Sequence, residues 1–260
     1  MVTNAAALVI VGNFTGGSAP GNAAGSGSLI DIFNAAANWW ENAILDSHTV
    51  TIDFSWASLG GGTLGAHNLL AQGGTPNRET AGGIRFDNDE SSLWFLDPTP
   101  DDNSEYATFA ETSADLGGGP VNTGRVFTSP VGSATGRFDL LSIATHEIGH
   151  ALGLSNANTS FQAENADLDI DVTGPRPFPG TVIPTVLGAH IDIDTALMYP
   201  FFSAGERKMQ SGVDMLANAE IGEFNKIVLN PAHPVPEAGT LLLLGLGLVG
   251  VGIGARRRAR

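Results

Sequence analysis

The sequence predicts an α+β domain: a twisted mixed sheet, a helix packed behind it, and a second helix that carries polar chemistry. Three observations lead there. Segment 49–56 alternates apolar and polar residues with the two-residue period of a half-buried strand, and 7–11 is a short β-branched apolar run. Segment 29–45 places Ile32, Ala35 or Ala36, Trp39 and Ala43 on one side of a helix. Segment 138–153 repeats Leu140, Ala144, Ile148 and Ala151 at steps of four and three, then reaches Gly153, which suits a helix end.

The elements follow in order. Strand 7–11 leads into a Gly/Ala/Ser loop, 16–28, and then into helix 29–45. Strand 49–56 precedes a glycine-rich connection, 60–65, which lacks the lysine and helix start of a phosphate loop. Segments 83–86 and 92–96 read as short strands, and the helix from 138 closes the pattern. There is no internal repeat. Residues 1–230 read as one domain and 231–260 as a tail.

Composition narrows the function. With 42% hydrophobic residues the chain has a real core, while 34 glycines and 14 prolines make it rich in turns. The net charge is −15, and four of the twelve basic residues lie in the last five positions, so the body is more acidic still. That excludes nucleic acid and an anionic membrane surface as partners of the folded part. No cysteine is present, so a metal site must be built from histidine and carboxylates.

The polar helix carries His146-Glu147-Ile148-Gly149-His150. Histidines four apart share one helix face, so both imidazoles reach a single ion, and Glu147 lies beside that face as a general base. A five-residue pattern can arise by chance. A buried, well-terminated helix around it argues for zinc. Zinc at a hydrolytic site takes three protein ligands and leaves a fourth position to water.

Continued by Ala151-Leu152-Gly153, the pattern resembles the metzincin zinc endopeptidases, whose usual third ligand stands three residues after the glycine. Here that position is Asn156, a poor zinc ligand. The third ligand comes from elsewhere, or the site is incomplete. His190 is the best candidate; the bland alternative is a solvated loop histidine. It shortly precedes Ala196-Leu197-Met198-Tyr199-Pro200, which resembles the metzincin Met-turn. The arrangement is similar to the leishmanolysin type, with residues 154–189 as the insertion before a late histidine. His48, His67 and His233 lack such context.

The resemblance implies a metzincin-like domain, with zinc held by His146, His150 and His190 and with Glu147 taking a proton from the attacking water during peptide hydrolysis. Met198 would pack beneath the ligands. Tyr199 follows Met directly, where some metzincins have a tyrosine two residues on, so its role in stabilising an oxyanion does not carry over. Gly149 and Ala151 keep side-chain bulk low near the ligands or simply allow close packing. A protein or peptide substrate is implied.

The tail has its own signature. Residues 240–255 are apolar or glycine, and Arg256-Arg257-Arg258-Ala259-Arg260 follow. The run falls slightly short of the roughly 20 residues that span a bilayer comfortably, and the arginines would hold its end on the cytoplasmic side. With Val235-Pro236-Glu237 upstream, the tail resembles the PEP-CTERM sorting signal of Gram-negative bacteria, although Ala238 replaces the second proline. That implies an exosortase partner, transient membrane association through a C-terminal hydrophobic helix, and an exported, cell-envelope or extracellular location. Residues 5–11 lack the basic front end of a signal peptide, so the expectation is a missing or mis-assigned start.

Acidic clusters raise calcium as a second metal. Asp167, Asp169 and Asp171 alternate, and Asp97, Asp101 and Asp102 crowd one loop. The EF-hand pattern fails, because Phe178 stands where its glutamate is required, and solvated acidic loops are the commoner outcome. Three functions are therefore held apart: an exported zinc endopeptidase, a catalytically silent zinc-stabilised surface or matrix protein, and an adhesion or structural protein in which the motif is incidental.

Overall fold

The computed structural model describes residues 7–231; the expected sorting helix at 240–255, the arginine cluster and His233 lie outside the described residues. In chain order the elements open with β1 (Leu8–Gly16), α1 (Leu29–Ala43), β2 (His48–Ala57), β3 (Gly65–Gly73) and β4 (Arg78–Asp87). The main sheet has the order β1-β2-β4-β3. β1, β2 and β4 are parallel, and β3 runs antiparallel to β4 along the edge. The mixed sheet is therefore present, with one more edge strand than the sequence pattern indicated.

Helix α1 starts where Ser28 accepts a hydrogen bond from the Asp31 N–H, satisfying one of the free donors of the first turn. Its apolar stripe lies on the sheet, with Phe33 stacked on Phe54 at 4.0 Å between ring centroids. The far side reaches the next helix, where the Trp40 indole N–H donates to the Thr145 carbonyl at 2.9 Å.

The chain continues through β5 (Trp94–Phe95), the hairpin β6 (Tyr106–Asp115) and β7 (Pro120–Pro130), β8 (Phe138–Asp139) and α2 (Leu140–Ala151). Helix α2 begins two residues later than its apolar spacing suggested. Asp139 acts as N-cap, its carboxylate accepting from the Ser142 N–H at 3.0 Å, while Phe138 and Asp139 pair with β5. The expectation of an amphipathic α2 is also corrected: all twelve of its residues are buried. A helix covered on every side needs no polar face. Its end is as expected, with Gly153 at φ +150°, a conformation that L side chains rarely adopt.

The remaining elements are α3 (Thr159–Glu164), β9 (Asp169–Asp171), β10 (Val182–Val186), β11 (His190–Ile191), β12 (Arg207–Met209) and α4 (Gly212–Ile221). β9, β10 and β11 form a small antiparallel sheet, and β12 adds to β7. Two apolar clusters result. The larger lies between the main sheet, α1 and α2; the smaller gathers Leu154, Ile170, Ile191, Met198 and the buried face of α4. Among the described residues no helix is long and apolar enough to cross a membrane.

The acidic loops differ from each other. Asp97 is fully buried and its carboxylate engages Arg207, so it does not belong to an open oxygen-rich loop. Asp102 accepts from the Ser104 N–H, and Asp101 is exposed. Asp167, Asp169 and Asp171 bring one carboxylate oxygen each within 4.8 Å of the others at the surface, as exposed acidic groups commonly do without an ion. Nothing in these loops supports calcium.

Candidate metal centre

Helix α2 presents His146 and His150 one turn apart, with their Nε2 atoms 3.1 Å from each other. Each ring is oriented by a backbone carbonyl. His146 Nδ1–H donates to the Leu197 carbonyl at 2.8 Å, and His150 Nδ1–H donates to that of Leu154. A carbonyl only accepts, so the protons sit on Nδ1 and both Nε2 lone pairs remain free. Two lone pairs facing each other at this separation repel unless a cation lies between them. Tetrahedral zinc sets its nitrogen ligands about 3.3 Å apart, close to the spacing seen.

His190 arrives from far along the chain. Strands β10 and β11 pair antiparallel, with Val186 opposite His190. The turn between them places Leu187 and Gly188 at positive φ, 46° and 83°. The Leu187 carbonyl accepts from His190 Nδ1–H at 3.2 Å, the same orienting device again. The His190 ring centroid lies 5.3 Å from that of His146 and 4.9 Å from that of His150. One nitrogen from each of the three rings falls within 4.8 Å of the others, a group that could hold a metal ion. Asn156 packs instead against the hairpin turn: a methyl group at Gly188 would stand 2.3 Å from its side-chain nitrogen.

The electrostatics match a cation site. Burial drives the His146 imidazole down to about 3, with His190 adding to the effect, and holds His150 and His190 below the usual histidine range, so all three rings stay neutral and able to ligate. Burial also pushes the Glu147 carboxyl up to about 8, opposed by a hydrogen bond from the His67 backbone N–H. Among the described residues no arginine or lysine pairs with Glu147. A cation among the imidazoles would favour its charged form.

The segment around Met198 packs against α2 beside the imidazoles. Leu197 N–H and Met198 N–H both donate to the fully buried Asp214 carboxylate, at 3.1 and 2.9 Å, while the Met198 carbonyl accepts from Ile191 N–H at 2.9 Å. The same carboxylate completes a capping box with Ser211 at the start of α4. The Ser-x-x-Asp spacing of 211–214 is a helix-start signal legible in the sequence, but its second task of pinning 197–198 is not. Gly149 is small for a reason visible here: a Cβ would lie 2.4 Å from Met198 Sδ and 3.1 Å from Trp40. Gly149→Ala is expected to destabilise the fold by about 1–3 kcal/mol through overpacking, read as a lower urea midpoint at unchanged slope.

Strand β3 forms one rim of the site and was absent from the sequence reading, as was any role for His67. Gly65 lies so close that an added Cβ would meet Glu147 Oε1 at 2.5 Å. His67 pairs with buried Glu79 at 2.8 Å and stacks on His150 with ring centroids 6.2 Å apart. Tyr199 faces Phe201 and Lys208. A cleft of about 770 Å³ runs over the site, from the glycine-rich connection across β3 and α2 to Pro200, Phe201 and Phe202.

Two family models match parts of the chain. Residues 38–163 match the matrixin family model, a metzincin peptidase family, and residues 234–258 match the PEP-CTERM protein-sorting motif. The first match takes in the end of α1, strands β2–β8 and α2, and ends within α3, before His190. No curated protein and no solved structure gives a significant match. Matrixins are zinc metallopeptidases, and the sorting motif implies export to the cell envelope or beyond in Gram-negative bacteria.

Proposed function

We propose that this chain is an exported zinc-dependent endopeptidase, with His146, His150 and His190 as the metal ligands and Glu147 as the general base. The convergence of three Nδ1-anchored imidazoles, two from α2 and one from the β10–β11 hairpin, is the observation that carries the reading. The matrixin match over 38–163 and the sorting motif at 234–258 support it from the sequence side.

Zinc at this position supplies a Lewis acid and an acidified water. The protein does the rest. The three backbone carbonyls keep each Nε2 turned inward, so no reorganisation is needed on loading. Glu147, held between α2 and the backbone of β3, accepts the proton of the attacking water and passes it to the leaving amine. A peptide lies in the cleft between β3 and the 199–202 segment, and exosortase recognises the tail.

Metal analysis tests the centre directly. The wild type is expected to bind one zinc per chain. Removing one of three ligands in His190→Ala is expected to weaken zinc binding by at least 100-fold, well past the 10–100-fold seen when only outer partners of ligands are removed. Asn156→Ala is expected to leave metal content unchanged. Zinc retained in the first variant and lost in the second would overturn the late-ligand assignment. Zinc absent from the wild type would favour a non-enzymatic surface protein.

A further inference from the structure

Lys208 is a buried lysine with no task in the chemistry above. It lies on β12 with its side chain 4% exposed. Its ammonium donates to two main-chain carbonyls, Asp194 at 2.6 Å and Phe201 at 3.3 Å. These lie at the two ends of one loop, 194–201, whose middle supplies the Leu197 carbonyl and Met198. The same ammonium stands 5.1 Å from the Tyr199 ring centre and 5.2 Å from that of Phe202. Glu206 is the nearest carboxylate, at 4.0 Å. Lys208 is tied to the active helix as well, since its backbone N–H donates to Ser142 Oγ at 2.9 Å.

What this ammonium holds is one wall of the cleft. Phe201 and Phe202 both face the cleft, Phe201 is 61% exposed, and the Phe202 ring sits edge-on to His146 with centroids 5.2 Å apart. Asp214 fixes the centre of the loop through Leu197 and Met198, and its carboxylate's other hydrogen bonds go to Ser211, outside the loop. The wall at 199–202 is therefore held by Lys208: a carbonyl at each end of loop 194–201, and the two aromatic faces of Tyr199 and Phe202 within the wall.

We propose that Lys208 is the positioning residue of the substrate-facing wall, a cationic staple that closes loop 194–201 and sets where Phe201 and Phe202 meet the peptide. The proposal rests on the peptidase reading for its consequence, and on geometry alone for the staple. An ordered aromatic wall prefers an uncharged, apolar peptide side chain. A loosened wall loses that preference. Because Asp214 holds Leu197, the anchor of His146, and the anchors of His150 and His190, Leu154 and Leu187, lie outside the loop, the staple governs substrate binding and leaves metal loading untouched.

Two experiments test it. Lys208→Met removes the charge and keeps the apolar stem. Zinc content should be unchanged, and deuterium exchange of the 199–203 amides should rise about tenfold while that of 140–151 stays as in the wild type, since losing a buried donor orphans two carbonyls. In cleavage assays with a peptide pair differing only by leucine or lysine at the cleft-facing position, KM for the leucine peptide should rise about tenfold, kcat should change less than about twofold, and the preference should shrink. Unchanged exchange and unchanged KM overturn the proposal, as does a fall in kcat alone, which would mean that Lys208 acts on the metal centre.

The second experiment needs no variant. The chain has two lysines, Lys208 and Lys226. In ¹⁵N-detected ammonium spectra of the wild type, Lys208 should give a slowly exchanging signal while exposed Lys226 does not; two equally fast lysines overturn the staple. A wild type with the slow ammonium but no cleavage refutes the peptidase reading and leaves the staple standing.

Discussion

Glu147→Gln is expected to keep one zinc per chain and a cooperative fold while lowering peptide cleavage by about 10²- to 10⁴-fold, the usual weight of a general base. Glutamine has the shape of glutamate, so the packing against Gly65, where an added Cβ would sit 2.5 Å from Oε1, is preserved. The amide cannot take a proton. Without metal the variant is expected to be at least as stable as the wild type, because a neutral group replaces a carboxyl whose ionisation burial disfavours. Loss of kcat at unchanged zinc content, measured with a quenched fluorescent peptide and elemental analysis, is the expected pattern, and Glu147→Ala should share it. Cleavage at the wild-type rate in either variant would remove Glu147 from the mechanism.

Much of this centre was legible in residue order alone. His146 and His150 could be placed because helical spacing turns a separation of four into a shared face. His190 could be nominated because a three-ligand requirement left one position unfilled and the Met-Tyr-Pro segment after it resembles the metzincin Met-turn. Helix α1 and strand β2 were visible because each buries one side and exposes the other, which is what periodicity reports. The glycine-rich connection at 60–65 was also placed, and β3 begins at its last residue.

The rest failed for physical reasons. β3 and β6 are edge strands with few buried positions, so their sequences show no apolar alternation. Helix α2 is buried on all sides, and a stripe of four residues understated its core. The carbonyls of Leu154, Leu187 and Leu197 orient the rings through groups that every residue carries, and no side-chain pattern marks them. His67 lacked a motif because its partner, Glu79, comes from the neighbouring strand. Asp97 was grouped with Asp101 and Asp102 as an oxygen-rich loop, yet its partner is 110 residues away in sequence. Pairings of that kind are set by topology.

Arg207→Ala is expected to be the most damaging single change in the fold, costing about 3–5 kcal/mol or abolishing folding outright. Arg207 is fully buried and its guanidinium has five N–H donors, each with a partner. Nε and Nη2 reach the two oxygens of Asp139, each at 2.9 Å; Nη2 also meets Asp97; Nη1 reaches the Asp102 carbonyl and Asn103 Oδ1, each at 2.9 Å. The guanidinium carbon stands 4.9 Å from the Tyr106 ring centre. One cation thus serves two buried carboxylates, and Asp139 is the residue that caps α2. Removing the cation strands both carboxylates in the core and loosens the first turn of the helix that carries His146 and His150. Asp97→Asn makes the contrast. It leaves a charge-balanced pair of Arg207 and Asp139, keeps an oxygen for the guanidinium, and relieves a carboxyl whose ionisation burial opposes. Its cost is expected to stay below about 1.5 kcal/mol, near that of one ordinary hydrogen bond. Urea unfolding of the two variants decides the matter: comparable losses would mean that the Arg207–Asp97 charge pair carries as much as the whole guanidinium network, and a large loss only for Arg207→Ala is the result expected if the cation's main contribution is to neutralise Asp139.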